Sequence, residues 1–332
     1  MLLLQSRVRS IVLPKNKFGA SRKPCRKIRL KRYGIPAAGK DALNIVFYTL
    51  TMNYRLFAFD LDGTLLDDEK ALSPANARAL HEIAATGARI VFATGRIGSS
   101  MHKYIPDSLD EVALLTLNGA EVLTGRRSGE KLVHQAMLSS DISDYLIEHS
   151  KGKSYVLNYY ANGILYAVRN KDTEPWINLY FKQTGTAYSF VPSLDHFLGK
   201  SPSKVIFVGS KETLDEQEQF FKKRWGDSVY VCRTWDYYLE FLDPAANKAQ
   251  GIDALAKFYG IGWHEIVTFG DAENDIPMLK KAGLGIAMAN APEPVQNAAG
   301  RVSPWTNNED GVAREWERIK KENSKSEIPN SK

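Results

Sequence analysis

Cysteine is almost missing from this chain: Cys25 and Cys232 are the only two in 332 residues. Two distant thiols support neither a disulfide framework nor a zinc site of paired cysteines, which fits a reducing, cytoplasmic setting. No apolar run reaches the roughly 20 residues that a membrane-spanning helix needs, so no membrane association is expected. Several catalytic signatures are absent as well. The sequence has no Gly-x-Ser-x-Gly nucleophile turn and no P-loop. His81-Glu82 lacks the second His of a zinc-protease helix. Gly283-x-Gly285 follows a helical stretch rather than a strand and lacks the third small residue, which removes it as a dinucleotide fingerprint.

Acidic residues are scarce in one place. Residues 1–51 carry 12 Lys/Arg and a single acid, Asp41, whereas the rest carries 32 basic and 37 acidic residues. The formal charge of +6 therefore belongs to the N-terminal segment. That excludes reading the body as a nucleic-acid binder. The reading adopted for residues 1–51 is a basic, disordered extension upstream of a natural start at Met52; an organelle transit peptide is the alternative. At 44% hydrophobic and 25% charged residues, the whole chain has ordinary globular composition, and its 332 residues are enough for two domains.

What is present is a series of short apolar strands that end in polar residues. Leu56–Phe59 leads into Asp60-Leu61-Asp62-Gly63-Thr64. Ser73-Pro74 opens a helix, with Ser as N-cap and Pro at the first helical position, and Gly87 closes it. Residues 89–93 form a second strand, ending in Thr94-Gly95-Arg96, and a helix is expected from about Ser99. Residues 113–117 form a third, ending in Asn118-Gly119-Ala120. From 126 to 242 the pattern changes to short alternating strands and helices, with a hairpin at Asn162-Gly163. Helices are expected near 139–149, 173–184 and 212–224. Tyrosines are dense there and are read as packing, and Cys232 is read as a core residue. After Asp243-Pro244 the first pattern resumes. Lys248 opens a helix closed by Gly260. Residues 265–269 form a strand ending in Gly270-Asp271-Ala272-Glu273-Asn274-Asp275, and a helix is expected over 309–320. The fold class is α/β: a Rossmann-like parallel-sheet core from 52–125 and 243–320, an α+β module inserted at 126–242, and a polar tail at 321–332.

In parallel sheets, ligands bind at the carboxyl ends of the strands, so these polar ends should converge on one site. Four carboxylates, amide and hydroxyl groups and one Lys suit a hard divalent cation with oxygen ligands, such as magnesium, and a phosphoryl group beside it. Asp60 and Asp62 then divide the work. A carboxylate kept ionised by a cation can attack phosphorus, and its neighbour can protonate the departing oxygen and later activate water. Gly63 lets the backbone turn beneath the phosphate.

The ordered set Asp60-Leu-Asp-Gly-Thr-Leu65, Ala93-Thr94-Gly95-Arg96, Lys248 and Gly270-Asp271-x-x-Asn274-Asp275 resembles the four motifs of the haloacid dehalogenase superfamily. Asn118-Gly119-Ala120, Asn247-Lys248-x-x-Gly251, Ala287-Met288-x-Asn290-Ala291 and Glu309-Asp310-Gly311-Val312 narrow the resemblance to Cof-type sugar-phosphate phosphatases, which carry a large α+β cap. The resemblance runs from Tyr54 to about Arg318. It implies Asp60 as the nucleophile that forms an aspartyl-phosphate, and Asp62 as general acid/base with its backbone carbonyl on Mg2+. Asp60 and Asp271 would be carboxylate ligands, and Asp275 would support the metal shell. Thr94, Lys248 and Asn274, with the amides of Leu61 and Gly95, would hold the phosphate. Ala249 departs from the Gly that relatives often carry there, and Gly251 is expected to keep the backbone permissive. Arg96 is left open between substrate and an acidic neighbour.

The activity implied is hydrolysis of a small phosphorylated metabolite, with Mg2+ as cofactor, by a monomer. The alternatives are a phosphomutase or phosphotransferase using the same chemistry, and a non-catalytic sugar-phosphate sensor; the intact Asp60, Asp62 and Asp271 speak against the sensor.

Overall fold

The computed structural model describes residues 53–98, 101–109, 111–125 and 131–326. The N-terminal extension and the last six residues lie outside them. In chain order the elements are β1 (Leu56–Phe59), α1 (Pro74–Ala85), β2 (Arg89–Ala93), β3 (Val112–Thr116), β4 (Glu121–Thr124) and β5 (Lys131–Gln135). A second group follows: α2 (Ser140–Ser150), β6 (Val156–Ala161), β7 (Ile164–Ala167), α3 (Glu174–Thr184), β8 (Tyr188–Phe190), β9 (Lys204–Val208), α4 (Lys211–Trp225), β10 (Tyr230–Trp235) and β11 (Tyr238–Leu242). The chain closes with α5 (Lys248–Tyr259), β12 (Ile266–Gly270), α6 (Ile276–Lys281), β13 (Leu284–Ala287), α7 (Glu293–Ala298), β14 (Arg301–Val302) and α8 (Gly311–Ser326).

Eight strands make one sheet in the order β14-β13-β12-β1-β2-β3-β4-β5. From β14 to β3 every neighbouring pair is parallel. The central strands are largely apolar because both faces are covered. Phe57, Phe59, Phe92 and Phe269 face α1 and α8, where Trp316 meets Phe57 edge-on at 5.7 Å. Leu56, Ala58, Val91 and Leu115 face α5 and α6 through Ile252, Leu255 and Met278. Strand order runs outward in opposite directions from the β1/β12 pair, which makes that pair the topological switch point where such sheets bind ligands.

The local signals in the sequence act as read. The Ser73 hydroxyl accepts from the Asn76 amide at 3.1 Å, and Gly260 ends α5 in the left-handed region at φ 65°. Asn162 and Gly163, at φ 53° and 72°, turn β6 back into β7.

Three expectations change. Residues 131–135 fall in the stretch assigned to the insertion, yet they form β5 at the edge of the first sheet. Here β4 folds back on β3 and β5 folds back on β4, before the chain departs. In place of a helix from about Ser99, the described residues carry a single 3₁₀ turn, His102–Tyr104. Pro106 follows two residues later and disfavours helical backbone before it. The last helix outruns the expected 309–320 and reaches Ser326. Its polar face is extended by the one-turn pairs Lys320–Glu317 and Arg318–Glu322.

The second sheet has the order β10-β11-β9-β6-β7-β8 and is antiparallel except for β7–β8. One face packs on α2 and α4 through Leu146, Ile147, Leu214 and Phe221. The other carries Tyr160, Tyr238, Ile206 and Val208 and packs on α3, and also on Ile97 and Leu117 from the loops after β2 and β3. This second face therefore looks toward the strand ends of the first sheet.

A buried amide ties the first domain together. Asn76 donates to the Leu65 carbonyl at 3.0 Å and accepts from the Ala313 amide at 3.0 Å, joining the loop after β1, α1 and α8. Replacing Asn76 by Ala leaves a buried carbonyl and a buried amide without partners. Urea unfolding should show a loss of about 1–3 kcal/mol with an unchanged m-value. An unaltered midpoint would show that water replaces both bonds.

Candidate active site

Register brings the polar strand ends together. Phe59 pairs with Phe269 on one side and Phe92 on the other, so Asp60, the Gly270–Asp271 step and the Ala93–Thr94 step finish level. Lys248 is the first residue of α5, whose N-cap Asn247 accepts from the Gln250 amide at 3.0 Å. The helix can start there because Gly119 has no side chain: a Cβ at Gly119 would lie 2.4 Å from the Asn247 carbonyl oxygen.

At this point Lys248 is fully buried and its ammonium bridges Asp60 Oδ1 at 2.5 Å and Asp275 Oδ1 at 2.6 Å. The other oxygen of Asp275 accepts from the amides of Asp271 and Ala272, each at 3.0 Å. Asp271 Oδ1 accepts from the Thr64 hydroxyl at 2.6 Å. Burial pushes the Asp60 carboxyl well above its ordinary value; Lys248 opposes this, and the charges of Asp275 and Asp271 add to it. Burial likewise pushes Asp271 up to about 6, partly offset by the Thr64 hydroxyl. Burial works against the Lys248 charge, yet Asp275 and Asp60 hold its pKa above the usual value.

Carboxylate oxygens of Asp60, Asp271 and Asp275 lie within 4.8 Å of one another. Three carboxylates share a single ammonium here, so the cluster has more acid than its own cation can balance. That donor set fits a hard divalent cation, whose charge would reverse the upward pressure on both acids. Gly63 belongs to the same cradle. It stands at φ 84°, and a Cβ there would come within 2.3 Å of Asp271 Oδ2.

Asp62 sits apart from this cluster. Its two oxygens accept from Arg96 Nε at 2.6 Å and Nη2 at 2.5 Å, and Lys70 lies 3.2 Å away. Burial alone would raise its pKa, but the bidentate Arg96 pair, with Lys70, holds it below the ordinary carboxylate value. Of the two contacts left open for Arg96, the acidic neighbour is present; Arg96 also donates to the Tyr104 hydroxyl at 2.7 Å and lines the cleft.

Three of the five residues expected to hold a phosphate line one cleft of about 690 Å³, whereas Leu61 and Lys248 lie buried beneath it. Thr94, Gly95 and Asn274 border it together with Asp60 and Asp62. The Thr94 hydroxyl accepts from the Arg96 amide at 3.1 Å. The Asn274 amide donates to Asn118 Oδ1 at 2.9 Å, while its own Oδ1 is buried without a partner. Leu61 buries its side chain in the core beneath, and its carbonyl accepts from the Leu65 and Leu66 amides, which fixes the turn.

Sequence reading missed several contributors. Thr64 was a motif letter without a role, and it now orients Asp271. Asn118 was noted only as a polar strand end; a non-glycine residue at φ 59°, it fixes Asn274. Gly251 has a different reason from the one expected. A Cβ there would meet Leu115 Cδ1 at 2.4 Å, so it allows α5 to lie close on β3. Cys232, expected in the core, lines the cleft, and burial pushes its thiol up to about 12, which keeps it protonated. The far wall comes from the second sheet, including Tyr160, Lys204 and Glu240.

A family model described as haloacid dehalogenase-like hydrolase matches residues 57–315. HMP-PP phosphatase of Cronobacter sakazakii is 31% identical over 71% of this chain and 85% of its own length. The 5-amino-6-(5-phospho-D-ribitylamino)uracil phosphatase YitU of Bacillus subtilis is 29% identical over 78% of this chain and 95% of its own. Among solved structures, TM0651 from Thermotoga maritima superposes with a TM-score of 0.70 at 31% identity, covering 80% of this chain and 97% of that one. The match spans every strand of the parallel sheet and each of the acids gathered at its switch point, and the chain belongs to the haloacid dehalogenase-like hydrolases.

Proposed function

We propose that this chain is a magnesium-dependent phosphatase that hydrolyses a small phosphorylated metabolite through an aspartyl-phosphate on Asp60. The observation that carries the reading is the cluster of Asp60, Lys248, Asp271 and Asp275, which meets the cleft through Asp60. The relatives named above, both called phosphatases of small molecules, support it.

Asp60, Asp271 and the Asp62 backbone carbonyl would hold Mg2+, with Asp275 behind them. When bound, the ion supplies positive charge to the phosphoryl oxygens. The chain's own residues do the rest. Lys248, Thr94, Asn274 and the amides of Leu61 and Gly95 orient the phosphoryl group toward Asp60. A carboxylate oxygen of Asp60 bonds to phosphorus as the ester P–O bond breaks, and Asp62 gives the departing oxygen its proton. Asp62 then takes a proton from water, whose oxygen displaces Asp60 from phosphorus. The Arg96 pair holds Asp62 as a carboxylate, so this role requires the Asp62 side chain to turn from Arg96 toward the ester oxygen and to take up a proton from solvent before the ester bond breaks. The second sheet would act as a cap over the strand ends and shield the intermediate. Among the described residues, no helix is long and apolar enough to cross a membrane.

The test combines rate and stability. Release of phosphate from p-nitrophenyl phosphate should require Mg2+ and stop with excess EDTA. Mg2+ at 100 times its dissociation constant should raise unfolding stability by about 2.7 kcal/mol. Undiminished turnover in EDTA would overturn the reading.

A further inference from the structure

Lys204 opens β9 and points onto the face of the second sheet that looks at the strand ends. Its ammonium donates to Glu240 Oε2 at 3.1 Å and to the Gly95 carbonyl at 3.3 Å, and it stands 5.2 Å from the centre of the Tyr160 ring. Register explains the pairing. Ile206 is opposite Glu240, two residues along β9 from Lys204, so the two charged side chains share one face. Both are buried, with side chains 3% and 8% exposed.

A buried ion pair is an expensive way to hold two strands together, because well-packed apolar residues of similar volume are often as stable or more so. This pair, moreover, sits in the wall of the cleft that contains Asp60 and Asp62. It reaches across to Gly95, in the loop that borders the phosphate position. On this sheet the rest of the wall is largely polar, and its one further charge, Arg233, is paired. The Tyr160 and Tyr180 hydroxyls bond each other at 2.5 Å, Tyr238 donates to Gln183, and Arg233 is engaged with Asp215 and Glu218. The second sheet thus offers donors and acceptors with no unpaired charge among its lining residues. It matches hydroxyl groups better than a carboxylate, an ammonium or a second phosphate.

We propose that Lys204 and Glu240 are the specificity-determining pair of the cleft, Lys204 donating to and Glu240 accepting from hydroxyls of a neutral polyol or sugar leaving group. An ammonium has three N–H donors, of which Glu240 and the Gly95 carbonyl take two, and a carboxylate has about four acceptor positions, so each keeps capacity for a ligand hydroxyl beside its present partners. The proposal rests on the phosphatase reading, and the experiment separates the two.

The full-length protein and its Lys204→Met and Glu240→Gln variants are assayed with p-nitrophenyl phosphate and with D-glucose 6-phosphate, D-ribose 5-phosphate and D-sorbitol 6-phosphate. The best of the three hydroxylated esters should lose on the order of 10²-fold in kcat/KM in Lys204→Met, mostly through KM. The aryl ester should lose far less, so the ratio of the two values shifts by on the order of 10-fold or more. Glu240→Gln, which keeps the shape and removes the charge, should shift the ratio in the same direction, and it carries the test if Lys204→Met fails to fold. Equal losses for both kinds of ester would overturn the proposal, since a structural latch or a phosphate ligand predicts that result. Wild-type turnover of the aryl ester alone would also overturn it while leaving the phosphatase reading intact. No phosphate release from any ester would overturn the phosphatase reading itself.

Discussion

Asp60→Asn should lower the rate of phosphate release by on the order of 10⁴-fold or more, with the fold intact. An amide keeps the size of the side chain and a carbonyl oxygen that can still accept from Lys248. It removes the proposed nucleophile, and in that reading the remaining groups only bind and orient. The stability outcome separates this from simple damage. Asp60 is buried beside Asp271 and Asp275, and burial disfavours its ionised form. A neutral amide relieves that repulsion, so in EDTA the variant should unfold at the same temperature as the wild type or higher. Loss of activity with retained or increased stability is the expected pair of results in steady-state assays and thermal melts. Full activity would assign the nucleophile elsewhere.

Lys248→Met should damage both activity and stability. Methionine has nearly the length of lysine but no charge. Its introduction leaves Asp60 and Asp275 facing each other without the cation that both now contact, at 2.5 and 2.6 Å. Breaking a buried pair from one side costs about 3–5 kcal/mol, because the charge left behind is uncompensated. Removing the donor proposed to hold the phosphoryl group should cost a further 10²-fold or so in rate. Urea unfolding in EDTA reads the first effect and steady-state kinetics the second. Adding Asp275→Asn to Lys248→Met should recover part of the lost stability, since it removes one of the two stranded charges, and the double-mutant cycle measures their coupling. A midpoint equal to that of the wild type would mean that Lys248 is not what balances these acids.

Much of this arrangement was legible in the chain because it rests on local rules. Ser73-Pro74 starts a helix by capping, Asn162-Gly163 turns a hairpin by positive φ, and strands buried on both faces appear as unbroken apolar runs. The convergence of Asp60, Thr94, Asn118 and Asp271 followed from one topological rule about parallel sheets. What was hidden depends on partners far apart in sequence. The hydroxyl of Thr64 meets a carboxylate 207 residues later, and no periodicity records that. Gly251 answers to Leu115 across a helix–sheet contact. β5 carries an ordinary strand pattern, and nothing in five residues says which of two sheets will accept it. The 3₁₀ turn at His102–Tyr104 shows a helical expectation stopped by a nearby proline. The wall of the cleft was the least legible part. A tyrosine-rich stretch reads as packing, and only the register of β9 against β11 reveals that Lys204 and Glu240 share a face toward the acids.

The central claim is that Asp60 carries the phosphoryl group during turnover. Enzyme quenched in acid during steady-state hydrolysis, treated with borohydride and mapped by peptide mass spectrometry reads this directly, because an acyl phosphate is reduced to an alcohol and a free carboxylate is not. The account predicts the alcohol at Asp60 and nowhere else, only when substrate and Mg2+ are present. Reduction at another aspartate, or none at all in enzyme that is turning over and quenched fast enough to hold a standard acyl phosphate, would contradict it.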